Sequence, residues 1–353
     1  MSLRPLSKAL GAGLALLALA GAGPDPARAH EGAAAGEAIA WPGSSARTPA
    51  ERSLAALQTE VILSAKPEAH QRAIAKAWSS PESAFLDLDL HPSVVIGTVL
   101  FALLYAVGIG PLRRRHALGP PATRAQIAWF TASCLLLLVA LNGPLHHLSD
   151  YYLLSAHMFQ HILLALIYPP MLLAGIPGWL LSPILRVPVL LRLGRLLTKP
   201  LVAYLLFNAI LVGWHLPPAY ELALRNHNWH IVQHLMFLVS AVILWWPIVG
   251  PAPELPRLSY LWQIGYLFVL QIPMVSLGAL IALAEHPLYP FYSVAPRVLP
   301  WLPWLTDQQY AGLLMWLPGH LILWLPMGIL FFRWFASERD DASGLEAVER
   351  GAR

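Results

Sequence analysis

His157-Met158-Phe159-Gln160-His161 opens an apolar run that continues as Ile162-Leu163-Leu164-Ala165-Leu166-Ile167. The pattern returns as His230-Ile231-Val232-Gln233-His234, again at the head of a long apolar run. Histidines four residues apart share one face of a helix. Crossing a bilayer takes roughly 20 apolar residues, and both runs have that length. Ionisable groups inside a span are costly and mark function by default. The two couplets therefore predict membrane helices that bring imidazoles together near one end.

The rest of the chain agrees with that reading. Its 353 residues are 57% hydrophobic and only 12% charged, against about 25% charged in soluble domains. The expected fold is all-α, a polytopic seven-helix bundle. Its spans are expected at about 93–109, 127–145, 152–176, 201–214, 230–249, 261–283 and 310–332. Pro169-Pro170, Pro273, Pro318 and Pro326 fall inside spans and predict kinks. The formal charge of +4 is modest and its basic residues sit mainly in loops, so no nucleic-acid surface is expected. A single cysteine, Cys134, rules out an intrachain disulfide and a Cys-rich metal site.

Residues 1–29 read as a signal peptide, with Arg4 and Lys8 at the start, an apolar stretch, and Ala27-Arg28-Ala29 as the cleavage site. Cleavage would leave His30 at the new N-terminus, where amine and imidazole suit copper. Residues 30–90 are expected as a periplasmic segment with short helices, near 49–64 and 68–78. Residues 91–335 form the membrane domain, and 336–353 a cytoplasmic disordered tail. Loop charge tests this orientation independently. Arg113, Arg114, Arg115, Arg124, Arg186, Arg192, Arg195, Lys199 and Arg257 fall on the side assigned to the cytoplasm, and only Arg225 and Arg297 oppose them.

That topology puts nearly every membrane-domain histidine on the outer side, with His116 the exception and His320 near mid-membrane. The candidate metal ligands are His157, His161, His230 and His234, joined by His215 at the end of the fourth span and by His320, with His30 as a separate N-terminal site. Taken singly, His91, His146, His227 and His286 read better as packed rings. Asp150, Glu221, Glu285 and Asp307 are read as carboxylates that orient ring N–H groups, and Gln160 and Gln233 in the same way. Imidazole clusters suit copper, zinc or haem iron. Met158, Met236 and Met315 are candidate thioethers, with packing the plainer role for each.

Four ordered motifs carry a family resemblance: the two couplets, Trp214-His215-Leu216-Pro217 with Tyr220, and Asp307-Gln308-Gln309-Tyr310-Ala311-Gly312 leading to Met315-Trp316 and Pro318-Gly319-His320. Over about residues 88–335 the chain resembles the polytopic, caa3-type CtaG family of cytochrome c oxidase assembly factors. The resemblance implies a non-enzymatic protein of the bacterial inner membrane that helps supply copper, as Cu+ or Cu2+, to the copper B centre of the haem-copper oxidase catalytic subunit. A periplasmic copper carrier is a further expected partner. Two other readings stay open here: a haem-binding membrane protein, acting as chaperone or redox component, and a metal-free assembly scaffold.

Overall fold

The computed structural model describes residues 68–88 and 90–351. The expected signal peptide, His30 and the helix near 49–64 lie outside them. The described residues contain helices and no strand. In chain order they are α1 (Glu68–Trp78), α2 (Pro92–His116), α3 (Arg124–Ala140), α4 (Gly143–Tyr151), α5 (Leu154–Gly175), α6 (Gly178–Leu185) and α7 (Pro188–Leu197). There follow α8 (Pro200–His215), α9 (Pro217–Arg225), α10 (His227–Val249), α11 (Tyr260–Ala282), α12 (Pro290–Val294) and α13 (Trp304–Gly351).

Five of these, α2, α5, α10, α11 and α13, are long and apolar enough to cross a membrane alone. Two of the expected spans instead fall in bent pairs: α3 with α4 at 42°, and α7 with α8 at 72°. The chain thus has five to seven candidate spans. Large apolar side chains stand exposed around them, among them Leu103, Val139, Leu205, Phe268, Leu321 and Trp324. In water so much exposed apolar surface would be an aggregation hazard, whereas hydrocarbon solvates it.

The bends have local causes. Gly143 takes φ +69°, a left-handed conformation that favours glycine, and so turns the chain from α3 into α4. In α5 the helix widens to a π turn over Leu163–Ile167, just ahead of Pro169. Proline there has no N–H for the carbonyl of Ala165. That carbonyl accepts the indole N–H of Trp245 from α10 at 3.0 Å instead. The defect in one couplet-bearing helix thereby becomes a tie to the other.

Elsewhere in the bundle, α11 and α13 form the most extensive helix pair. Glycines permit it: a Cβ on Gly312 would lie 2.4 Å from the Ala282 nitrogen and 2.5 Å from the Gly278 carbonyl oxygen. Beyond the bundle α13 runs on as helix to Gly351, through residues expected as a disordered tail. Ala336, Glu338, Leu345 and Glu346 are good helix formers, and extending an existing helix needs no new nucleus.

Candidate metal centre

The couplets meet. His157 and His161 lie in the first turns of α5, and His230 and His234 in the first turns of α10, all buried. Their rings are close across the helix pair: His157 to His230 at 5.9 Å, His157 to His234 at 6.3 Å and His161 to His234 at 5.7 Å between centroids. His215, ending α8, joins at 5.9 Å from His161.

α5 is held at that depth by Asp307, near the start of α13. Its carboxylate accepts the backbone N–H of Leu154 at 2.9 Å and of Ser155 at 3.2 Å, and the Ser155 hydroxyl. An orphan first turn is thus capped by a residue 153 positions away. Asp307 therefore positions a helix, where the sequence suggested that it would orient a ring. Gln308 beside it braces the preceding loop, accepting Leu288 N–H at 2.8 Å and donating to the His286 carbonyl at 3.0 Å.

Two residues enter the site with larger roles than the sequence suggested. Asp150, on α4, lies with one oxygen 3.7 Å from His230 Nδ1 and 3.5 Å from His146 Nε2. Asp150, His157 and His230 present one ligand atom each, all within 4.8 Å of one another. Asp150 is thus a candidate ligand as well as an orienting group. His146 sits in the middle of the rings, 4.5 Å from His91 and 6.2 Å from His230. His227 continues the network at 5.9 Å from His91. The signal in the sequence was the spacing from His146 to Asp150, i to i+4, directly after the turn-forming Asn142-Gly143-Pro144.

Protons can be placed by asking which partners can only accept. Gln160 donates its amide to the Ala140 carbonyl at 2.6 Å and to His146 Nδ1 at 3.0 Å. His146 Nδ1 is then the bare nitrogen, and Nε2–H faces the Asp150 carboxylate. His215 donates Nδ1–H to the Leu211 carbonyl at 2.7 Å, which leaves the Nε2 lone pair free. Tyr292, on α12, donates to the Ser149 carbonyl at 2.7 Å, and its oxygen lies 3.4 Å from His157 Nδ1. Burial pushes the Tyr292 phenol well above its ordinary value, so it stays a donor. His157 Nε2, both ring nitrogens of His161, and His215 Nε2 have no hydrogen-bond partner within the protein. Buried imidazole nitrogens in that state fit a ligand that takes lone pairs.

The remaining expected residues lie elsewhere. His320 is not brought in: its Nδ1 bonds to the Trp316 carbonyl, and no ring contact joins it to the other histidines among the described residues. It stands 13 residues beyond Asp307 on α13, about 20 Å along the axis, while His161 is only about 10 Å below the start of α5. Glu285 and His286 are exposed. Glu221 lines a surface cavity beside Pro217 and Pro290. Gln233 is buried, but its amide touches no partner in the protein, unlike its counterpart Gln160.

This constellation, with its motifs in order, has a known relation. Residues 103–337 match the model of the cytochrome c oxidase caa3 assembly factor family, Caa3_CtaG. The chain belongs to this family. Its five to seven candidate membrane spans agree with a membrane protein of that family. It is similar to "Uncharacterized protein Mb0105" of Mycobacterium bovis, at 28% identity over 262 residues, covering 69% of this chain and 39% of that one. It is also similar to "Uncharacterized protein ML1998" of Mycobacterium leprae, at 24% identity over 257 residues, covering 68% and 38%. The chain spans about two-fifths of the length of these relatives. No solved structure matches it. The stretch around His215 is tied into this fold: Tyr289 donates to the His215 carbonyl at 2.8 Å, and Tyr220 meets Tyr292 at 3.3 Å.

Proposed function

We propose that this assembly factor binds copper between α4, α5 and α10 and passes it to the copper B centre of the oxidase catalytic subunit. The observation that carries the reading is the convergence of Asp150, His157 and His230 ligand atoms within 4.8 Å, beside unpartnered imidazole nitrogens. Imidazole with one carboxylate suits a divalent ion, and copper stands at the top of the divalent affinity order. Loop charge and the signal peptide support a site on the periplasmic side of the bacterial inner membrane, where a periplasmic carrier can load it. His30 would be the first residue of the exported segment and a place for that loading.

The close ring packing favours an ion over haem. A porphyrin takes a slot of several hundred cubic ångströms. The cavity beside His161 and His215, just below, measures about 20 Å³. A transfer site should hold its ion exchangeably, and a three-ligand site leaves positions open to a partner's ligand.

The test is metal content of the full chain purified in mild detergent, with His157→Ala and His230→Ala alongside. Wild type should carry copper at a stoichiometric level, and each variant should lose most of it, with a parallel fall in oxidase copper in cells. Copper retained in both variants would refute the site. A Soret band in the wild type would make the protein a haem carrier, and metal-free wild type would make it a scaffold.

A further inference from the structure

Below the ring cluster lies a cavity of about 20 Å³, large enough for one ion and too small for an organic ligand. Met158, His161, His215, Phe237, Met274 and Met315 line it. Three of the chain's seven methionines meet there, from three helices, α5, α11 and α13. All three are buried, at 0%, 7% and 4% exposure. Met315 is eight residues beyond Asp307 and His161 seven beyond Leu154, so the Asp307–Leu154 tie brings them to one depth, about 11 Å in.

Methionine commonly fills irregular gaps in a core. That role does not account for what faces these three. His215 presents an Nε2 whose lone pair is free because Nδ1–H is committed to the Leu211 carbonyl. His161 has neither ring nitrogen partnered in the protein. Three buried nitrogens with no donor or acceptor to meet are costly in an apolar cavity, and a cation that takes the His215 Nε2 lone pair and the single lone pair of neutral His161 removes the cost for two of them.

We propose that this cavity is a second metal station, built from the imidazoles of His161 and His215 and the thioethers of Met158, Met274 and Met315, and selective for a soft monovalent ion, Cu+ or its analogue Ag+. The donor set has no charge. Desolvation of a divalent ion there would go uncompensated, and a monovalent ion loses far less on leaving water. Thioether sulfur prefers soft Cu+. The station above it, with the Asp150 carboxylate, is the harder of the two. His157 and His161 bridge them, one turn apart on α5 with ring centroids 4.3 Å apart. An ion received near Asp150 has a soft site one ring contact further in.

The inference rests on the reading that this chain handles copper, and one set of measurements separates the two. The full chain in mild detergent is titrated with Ag+, with Cu+ under reducing anaerobic conditions, and with Cu2+. Its variants are Met274→Leu with Met315→Leu, a volume-conserving pair that should fold, and Asp150→Asn with His230→Asn. X-ray absorption on the Ag+ and Cu+ forms reports sulfur in the coordination shell. The methionine pair should weaken Ag+ and Cu+ binding at least tenfold and reduce the sulfur signal to what Met158 alone supplies, leaving Cu2+ unchanged. The Asp150 and His230 pair should abolish Cu2+ binding apart from any at His30 and leave Ag+ within about twofold. Ag+ binding that ignores the methionine pair, or a shell without sulfur, overturns the second station while the Asp150 site stands. Sulfur-bound Ag+ in a protein that takes no Cu2+ overturns the Asp150 site and keeps the second station. Binding of neither ion overturns both.

Discussion

Asp307 Oδ2 accepts the backbone N–H of Leu154 at 2.9 Å, tying the last long helix to the first turn of the helix that carries His157 and His161. With the two bonds from Ser155 it sets how deep those rings sit. Interhelical hydrogen bonds in membrane proteins contribute roughly 0.6 kcal/mol each, so Asp307→Ala should cost about 2 kcal/mol. Asp307→Asn keeps an acceptor oxygen and should cost less. Thermal unfolding in detergent checks the order, and Asn as damaging as Ala would show that the charge matters beyond the cap.

Gln160 and Gln233 hold equivalent places in the two couplets, yet their surroundings differ. Gln160 serves the Ala140 carbonyl, His146 and Ser149. Gln233 bonds to nothing in the protein. Gln160→Leu should destabilise by about 1–3 kcal/mol, because its partners stay buried without it. Gln233→Leu should be close to neutral. Equal losses of thermal stability in the two variants would contradict the arrangement.

His320 and Asp150 offer a sharper contrast. The motif around Pro318-Gly319-His320 singles out the histidine, while Asp150 has no motif of its own. The structure places them differently: Asp150 faces His146 and His230, and His320 bonds to its own helix. Copper content should fall severalfold in Asp150→Ala and stay near wild type in His320→Ala. Metal analysis of both proteins decides it.

Gly312 and Gly278 let α11 and α13 approach to backbone contact. Gly312→Val would push its side chain into the Ala282 backbone, with an overpacking cost of about 1–3 kcal/mol or more. Because Met274 and Met315 ride on these two helices, the change should also disturb the cavity they line. Lower unfolding temperature together with weaker Ag+ binding is expected. Loss of stability with unaltered Ag+ affinity would separate the helix contact from the cavity.

Much of the fold was legible in the chain because hydrophobic length is a local property. Six of the seven expected spans begin or end within three residues of an observed helix end, the seventh lies inside α13, and the prolines of α5 do distort it, through a π turn. The bends at Gly143 and before Pro200 were missed. A hydropathy pattern reports how long an apolar stretch is, and says nothing of the angle at which it turns.

The site divides in the same way. Both couplets could be read from the sequence, since i and i+4 on a helix share a face whatever surrounds them. So could their shared end of the bundle, from the common position of the couplets in their spans. Tertiary structure alone decided which distant groups complete the centre. It brought Asp150 and His146 in on a bent helix, left His320 about 10 Å of helix rise deeper than His161, and gathered Met158, Met274 and Met315 around His161 and His215. Ligand distances depend on how helices pack, through ties such as Asp307 to Leu154 and Trp245 to Ala165, and those join residues 80 to 153 positions apart. No local period in the chain encodes them.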